Sequence, residues 1–295
     1  MKKFTQLLVF TNKHKFKSRT HSTGLAFLVF LGFSLLCSFQ LKAQGNLLIS
    51  PHRVVFEGQK RVMEINLANT GKDSAKYSVS FLQYRMKEDG AFEEITVPEP
   101  GLNFSDKNVR VFPRTIMLGP NESQVIKLQL TNSDGLTPGE YRSHIYFRAI
   151  TNQKALGVDD VKKDSSAISI KLVAVFGITV PVIIRVGEST TTLKLTDLKL
   201  DKGVDGTAKL LLTINRSGNM SAYGDISIIY KAPNGTESKI GSVNGVAVYT
   251  PLALRNMKID LENKSNLDLS KGTIRAVFSS DDTHPVKLAE AEFTL

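Results

Sequence analysis

Hydrophobic and polar residues alternate over short runs in this chain, and the pattern predicts β-strands along most of its length. In one such run Met63, Ile65 and Leu67 would share one face of a strand, while Glu64 and Asn66 would share the other. Comparable runs are separated by Gly, Pro, Asn and Asp, and no amphipathic helical pattern of useful length follows residue 44. Short strands at regular spacing are typical of β-sandwiches.

Two groups of such runs predict two sandwiches. The first group comprises residues 54–56, 61–68, 76–84, 108–112, 124–130, 141–150 and 167–186. The second comprises residues 191–200, 208–215, 225–230, 246–249, 256–261, 272–278 and 289–295, with a hairpin turn at 232–235. The predicted fold class is therefore all-β, with two immunoglobulin-like β-sandwich domains at 44–186 and 187–295, joined by a short hinge.

The run 167–186 is the longest β-branched run in the chain. It begins in alternation and becomes apolar on both faces, which indicates a strand that is buried on both sides. Gly177 and Pro181 predict a bulge or bend within it. The preceding residues 151–166 are polar, charged and without periodicity, which predicts a long mobile loop.

Tyr141 follows the sequence L-T-P-G-E at the start of a predicted strand. A tyrosine in this place often closes the corner of a sandwich through its hydroxyl group. An ordinary half-buried tyrosine is the alternative.

The first 43 residues predict a secretory signal peptide, because basic residues precede the apolar run 23–39 and residues 41–43 resemble a cleavage site. An uncleaved anchor is the alternative, although the apolar run is short for a membrane span of about 20 residues. The single cysteine, Cys37, lies in this run behind Leu36, which argues against lipidation. After cleavage the chain would contain no cysteine and no membrane segment, so each domain would depend on its own core.

The formal net charge of +10 belongs mostly to the predicted signal peptide. Its removal leaves 31 basic and 28 acidic residues, a net charge of +3. So small a charge does not argue for binding to nucleic acid or to an anionic membrane surface.

Residues with catalytic or metal-binding chemistry are sparse. His52, His144 and His284 lie far apart, without the spacing of metal ligands. The sequence has no G-x-S-x-G, no Gly-rich phosphate loop and no H-E-x-x-H. We therefore expect no enzyme, no metal and no cofactor, while a triad assembled from distant residues stays open.

Several segments resemble the periplasmic pilus-assembly chaperones, the PapD-like family. Residues 53–70, R-V-V-F-E-G-Q-K-R-V-M-E-I-N-L-A-N-T, are similar to the first two strands of that family. Residues 111–128, V-F-P-R-T-I-M-L-G-P-N-E-S-Q-V-I-K-L, and 140–150, E-Y-R-S-H-I-Y-F-R-A-I, continue the resemblance. N-R-S-G-N at 215–219 is a weaker match to the second domain. The order and spacing of the motifs make the resemblance more specific than any single motif.

The resemblance implies a periplasmic chaperone for pilin-like subunits of a surface fibre, with an outer-membrane usher as a second candidate partner. Such a subunit lacks the last strand of its own sandwich and would aggregate through its unpaired edge. By donor-strand complementation the chaperone would lend the strand that begins at residue 167. Ile168, Ile170 and Leu172 would fill the groove of the subunit, and residues 151–166 would become ordered on capture.

The resemblance also implies that Arg53 binds the C-terminal carboxylate of the subunit, because a planar guanidinium can donate two hydrogen bonds to a carboxylate. The family carries a second basic residue on the lending strand, and Phe176 or Gly177 stands there in this chain. Lys171 is the candidate that would complete the pair, and Arg53 acting alone is the alternative. Position alone favours a solvated surface cation for Arg53, and it is the resemblance that favours the anchor.

A different function also fits the same residues. Ile168, Ile170 and Leu172 could fill the core of their own domain, as in any strand of this composition. The chain would then be an exported structural or adhesive surface protein with two immunoglobulin-like domains. Exposure of the lending strand at a sheet edge distinguishes the chaperone from this alternative.

Overall fold

The computed structural model describes residues 47–150, 175–202, 207–262, 269–281 and 283–295. In these residues the regular structure is β-strand, apart from one 3-10 turn at Asp106–Asn108. The predicted signal peptide and the predicted loop 151–166 lie outside the described residues.

The first sandwich consists of two packed sheets and one added hairpin. Its strands are β1 (Leu47–Ser50), β2 (Val54–Phe56), β3 (Val62–Asn69), β4 (Ala75–Leu82), β5 (Tyr84–Met86), β6 (Phe92–Glu94), β7 (Val109–Phe112), β8 (Thr115–Leu118), β9 (Ser123–Leu130), β10 (Gly139–Ile150) and β11 (Gly177–Val186). One sheet has the strand order β1-β3-β9-β7 and the other has the order β2-β11-β10-β4-β8, while β5 pairs with β6.

The alternation of the sequence explains the core between these two sheets. Ile65, Leu67, Ile126 and Leu128 point inward and are fully buried, as their positions in the pattern predict. Full burial of each such side chain stabilises the fold by about 1.5–3 kcal/mol. The core therefore follows directly from the period of two in β3 and β9.

Tyr141 closes a corner of this sandwich. Its hydroxyl oxygen accepts a hydrogen bond from the backbone N–H of Thr137 at 3.0 Å and lies 2.9 Å from the Thr137 hydroxyl. The predicted corner role of Tyr141 is therefore confirmed.

The second sandwich is also a pair of sheets. Its strands are β12 (Thr192–Lys202), β13 (Ala208–Ser217), β14 (Ala222–Lys231), β15 (Glu237–Val248), β16 (Leu254–Asp260), β17 (Thr273–Ser280) and β18 (Lys287–Thr294). The sheet orders are β12-β13-β16 and β15-β14-β17-β18, around a core that includes Ile214, Ile226 and Phe278. The predicted fold class, all-β with two immunoglobulin-like sandwiches, is confirmed. We propose the boundary between 44–186 and 187–295, because β11 ends the first sandwich at Val186 and the second begins with β12.

Strand β11 is buried on both sides near its end, as predicted. Val182 and Ile184 belong to the core of the first sandwich, whereas Ile183 packs against Ala247 and Tyr249 of the second. The predicted bulge is wrong, because β11 pairs with β10 over its whole length without a register shift. This double burial places the end of β11 in the interface between the sandwiches.

Candidate functional site

One edge of β11 is only partly covered. On one side β11 pairs with β10 throughout, but on the other side it pairs with β2 only at Val182–Ile184. Within the part of the chain that the structure describes, the stretch 177–181 has no strand on that second side. Phe176 and Ile178 lie at this free edge with exposed fractions of 47% and 37%. An unpaired edge with exposed apolar side chains is the usual template for pairing with another chain.

Arg53 stands where the free edge ends. The parallel register of β2 and β11 places Val54 opposite Val182, so Arg53 lies beside Pro181. A strand that docked along 177–181 would therefore end next to Arg53, where β2 begins to pair with β11. The position of Arg53 before β2 thus places its cation at the end of the candidate docking edge.

The guanidinium of Arg53 is buried without a partner for two of its nitrogens. Nε and Nη2 are inaccessible to solvent and make no hydrogen bond. The described residues place no carboxylate within ion-pair distance of Arg53, and its guanidinium carbon lies 4.5 Å from the centre of the Tyr223 ring. Burial lowers the pKa of Arg53, but an arginine stays charged at any physiological pH. Buried polar groups are normally satisfied, so these two nitrogens are among the few exceptions in the described residues.

A second guanidinium, that of Arg142, lies in the same interface. Arg142 is 2% exposed and donates hydrogen bonds to the carbonyl oxygens of Tyr84, at 3.1 Å, and Thr250, at 3.2 Å. It also lies over the ring of Tyr249, at 4.4 Å from the ring centre. Its two terminal nitrogens thus have partners within the protein, whereas its buried Nε has none, and its charge adds to the positive field of the interface.

Glu140 is the buried carboxylate that links the two sandwiches. It is 2% exposed, and its Oε2 accepts hydrogen bonds from the backbone N–H and the hydroxyl of Ser221, at 2.9 and 2.6 Å. Arg185 forms an ion pair with the same oxygen at 3.5 Å and donates to the carbonyl oxygen of Ser221 at 2.9 Å. Glu140 and Arg185 come from the first sandwich and Ser221 from the second, so this group fixes their contact.

Positive charges outnumber negative ones in the interface between the sandwiches. Arg185 pairs with Glu140 and with the partly exposed Glu57, whereas no carboxylate of the described residues lies within ion-pair distance of Arg53 or Arg142, which interact with the charge of Glu140 only over a longer range. Coulomb interactions strengthen in a site that excludes water, so an excess of cations there favours an anion. Across the described ranges no group of three or more His, Cys, Asp and Glu residues is arranged to hold a metal ion. A guanidinium suits an anion such as a carboxylate, to which it can donate two hydrogen bonds.

An aromatic cluster borders the cations. The His144 ring packs edge-on against Tyr84 and Phe92, with ring centres 5.1 and 5.4 Å apart, and Tyr249 lies on its other side. Burial lowers the pKa of His144 to about 3, and the nearby charge of Arg142 lowers it as well. His144 is therefore neutral in the folded protein over the physiological range.

We expect the free energy of unfolding to fall as the pH drops below about 6.5. The unfolded chain protonates His144 near its ordinary pKa, whereas the folded protein resists protonation down to a pKa of about 3. Each pKa unit corresponds to about 1.4 kcal/mol, so acidification from pH 7 to 4.5 should cost about 2–3 kcal/mol at this residue.

Urea denaturation at several pH values measures this dependence. The unfolding free energy of the variant His144→Leu should change less between pH 7 and 4.5 than that of the wild type, whatever its value at pH 7. The exposed His284 provides the control, since His284→Leu should keep the profile of the wild type. Equal slopes for the wild type and His144→Leu would contradict the role given to His144.

Among the residues predicted from the sequence, the structure places Arg53 in the site. The predictions for Ile168, Ile170, Lys171 and Leu172 concern residues outside those that the structure describes. Phe176, which stands where the family has a basic residue, is exposed and lies beside the free edge.

Sequence reasoning missed Arg142 and Glu140. They lie on β10 on the face opposite to Ile145 and Phe147, and the alternation assigns that face to solvent. Their burial comes from the second sandwich, so no local pattern reports it. The only available signal was the density of ionisable residues in E-Y-R-S-H at 140–144.

Comparisons with known proteins concern the fold. No family model and no curated protein sequence matches the chain. The solved structures that are similar to the chain include fimbrial chaperones. Within the described ranges no helix is long and apolar enough to cross a membrane.

Three of these structures illustrate the similarity. The YadV chaperone is 12% identical, with 85% of this chain and 100% of that chain covered and a TM-score of 0.43. The CupB2 chaperone of Pseudomonas aeruginosa is 13% identical, with 84% and 100% covered and a TM-score of 0.42. The complex of the SafA pilin with the SafB chaperone of Salmonella enterica contributes a chain that is 12% identical, with 84% and 96% covered and a TM-score of 0.39. Similarity at this level does not transfer the roles of individual residues.

Proposed function

We propose that this chain is an exported, periplasmic chaperone that caps pilin-like subunits of a surface fibre by lending them the free edge of β11. The observation that carries the proposal is the buried, unpartnered guanidinium of Arg53 at the end of an apolar strand edge. Among the described residues no carboxylate pairs with Arg53 and no strand covers the edge at 177–181, and both observations support binding of an external chain. We propose no enzymatic activity.

The docking geometry follows from the register of the sheet. A subunit strand on the edge at 177–181 would extend the five-stranded sheet and end beside Arg53. If its carboxyl terminus is the end at Arg53, this strand runs in the same direction as β11, as β2 does. Backbone hydrogen bonds along the edge would supply affinity, and alternate side chains would supply specificity.

Phe176 and Ile178 would insert into the groove of the subunit. They alternate with Gly177 along the strand and therefore share one face, and both are exposed. Ile168, Ile170 and Leu172 have the same parity in the sequence, so we propose that they continue this apolar row.

Arg53 would bind the terminal carboxylate of the subunit. A charge-assisted hydrogen bond in a partly desolvated site contributes about 1.5–3 kcal/mol, and a guanidinium can donate two of them to one carboxylate. The site would also fix the register of the docked strand, since a chain terminus occurs only once per chain. Arg142 supports the same anion through its field, and Lys171 remains a candidate for a second direct contact.

The experiment that tests the proposal compares two exposed apolar residues of equal exposure. Ile178 lies on the free edge and Leu288 on β18 of the second sandwich, and each is 37% exposed. Tagged wild type, Ile178→Asp and Leu288→Asp would be purified from the cells that naturally make the protein, and co-purified proteins would be quantified by mass spectrometry.

We expect the wild type and Leu288→Asp to recover exported β-rich subunits in equal amounts. Ile178→Asp should recover at least about tenfold less, because a carboxylate in an apolar groove is strongly disfavoured. Equal recovery by all three proteins would mean that this edge does not capture a subunit and would favour the structural or adhesive alternative. Circular dichroism checks that both variants are folded.

A further inference from the structure

Arg53, the candidate anchor, contacts the aromatic ring of Tyr223, and the two residues belong to different sandwiches. Arg53 precedes β2 of the first sandwich, and Tyr223 is the second residue of β14 in the second. The guanidinium carbon of Arg53 lies 4.5 Å from the centre of the Tyr223 ring. The contact between Arg53 and Tyr223 therefore connects the two sandwiches.

The backbone of the second sandwich is shaped around the Tyr223 ring. Tyr223 is paired with Ala247 of β15, and the register of these two strands shifts directly afterwards, between Gly224 and Ile226. Gly245 has a φ of 68°, and a Cβ added there would lie 3.1 Å from the Tyr223 hydroxyl. Its N–H donates to Oδ1 of Asp225 at 2.8 Å, which holds the irregular turn in place. This local geometry leaves space for the ring and restricts its position.

An aromatic ring holds a guanidinium differently from a carboxylate. The ring contacts the face of the planar group, and the N–H donors lie in its plane, where they stay free for a ligand. A carboxylate in the place of Tyr223 would pair with those donors and neutralise the charge. The Tyr223 ring can therefore hold Arg53 in place without neutralising its charge.

We propose that Tyr223 is a positioning residue for anion binding, which holds Arg53 ready for the terminal carboxylate of a captured strand. This inference rests on the proposed function of Arg53 as the anchor. It adds that the anchor is shared between the two sandwiches, so binding of a chain terminus depends on the second sandwich as well as on the lending strand of the first.

The test uses a short synthetic peptide of alternating valine and threonine with a free carboxyl terminus, and its C-terminally amidated twin. Binding of both labelled peptides to the purified protein is measured by fluorescence anisotropy. The decisive quantity is the ratio of the two affinities, which reports recognition of the carboxylate separately from strand pairing. We expect the wild type to prefer the free acid.

Tyr223→Leu should lower this preference by about 5- to 30-fold, which corresponds to the range of cation–π interactions in partly desolvated sites. It should leave the affinity for the amide unchanged. Tyr223→Phe keeps the ring and should keep the preference. An equal loss of affinity for both peptides would show a merely structural role, and an unchanged preference in Tyr223→Leu would show that the ring does not position Arg53; either result overturns the inference.

Arg53→Ala separates the failure of this inference from failure of the proposed function. If the wild type binds the acid and the amide equally, or binds neither, the anchor fails and the role of Tyr223 fails with it. If Arg53→Ala removes the preference and Tyr223→Leu does not, the anchor stands and only the inference fails. In an Arg53→Ala background, Tyr223→Leu should have no further effect on the preference.

Discussion

Replacement of Arg53 by methionine is expected to abolish capture of fibre subunits while the protein becomes no less stable. Capture should fall because the methionine cannot bind a carboxylate, and loss of the two charge-assisted hydrogen bonds predicts a decrease of about 100-fold or more. Stability should be unchanged or rise by about 1–3 kcal/mol, because the unsatisfied buried nitrogens of Arg53 destabilise the folded state. Co-purification and thermal unfolding measure the two effects.

Two further variants sharpen this prediction. Arg53→Lys keeps the charge but loses the planar fork, so we expect intermediate capture. Arg110→Met removes an exposed arginine from β7 and should change neither capture nor stability. A marked loss of stability in Arg53→Met would show that Arg53 supports the fold, and undiminished capture would show that it is not the anchor.

Replacement of Glu140 by alanine should lower the free energy of unfolding by about 3–5 kcal/mol. The carboxylate balances Arg185 in the buried interface and accepts both hydrogen bonds from Ser221. Its loss would leave Arg185, Arg53 and Arg142 as buried cations without a buried counter-charge. Urea denaturation measures the change, and because Glu140 joins the two sandwiches, we also expect the single transition to split into two.

An exposed ion pair provides the control for Glu140. Glu237 lies 2.9 Å from Arg275, and its side chain is 44% exposed. Glu237→Ala should therefore change the unfolding free energy by less than about 1 kcal/mol. If Glu140→Ala were no more destabilising than Glu237→Ala, the buried carboxylate would not be the group that stabilises the contact between the sandwiches.

The strands and cores could be predicted from the sequence because their signal is local. A period of two in the run that contains Ile65 and Leu67 decides which side chains face the core, and the structure buries those side chains. Tyr141 could be placed at a corner because the turn before it is short and has a characteristic composition. Each of these features depends on residues that are neighbours in the chain.

The site could be predicted only in part. Arg53 can be singled out as a candidate because it stands at a recognisable place before a strand, although the sequence alone does not distinguish an anchor from a surface cation. Arg142 and Glu140 were missed because they occupy the face of β10 that the alternation assigns to water. The second sandwich covers this face of β10 and buries both residues. Because the second sandwich follows later in the sequence, no residue near β10 in the chain indicates this burial.

By itself, the sequence determined the all-β class, the division into two sandwiches and the apolar character of the strand that ends at Val186. The tertiary structure decided which edge of that strand no other described strand covers, since this depends on how far β2 extends along it. It also decided that Arg53 lies over Tyr223 with no carboxylate of the described residues in ion-pair distance. The physical reason is that periodicity reports on which face of a strand is apolar, whereas the environment of a charge depends on residues that only folding brings together.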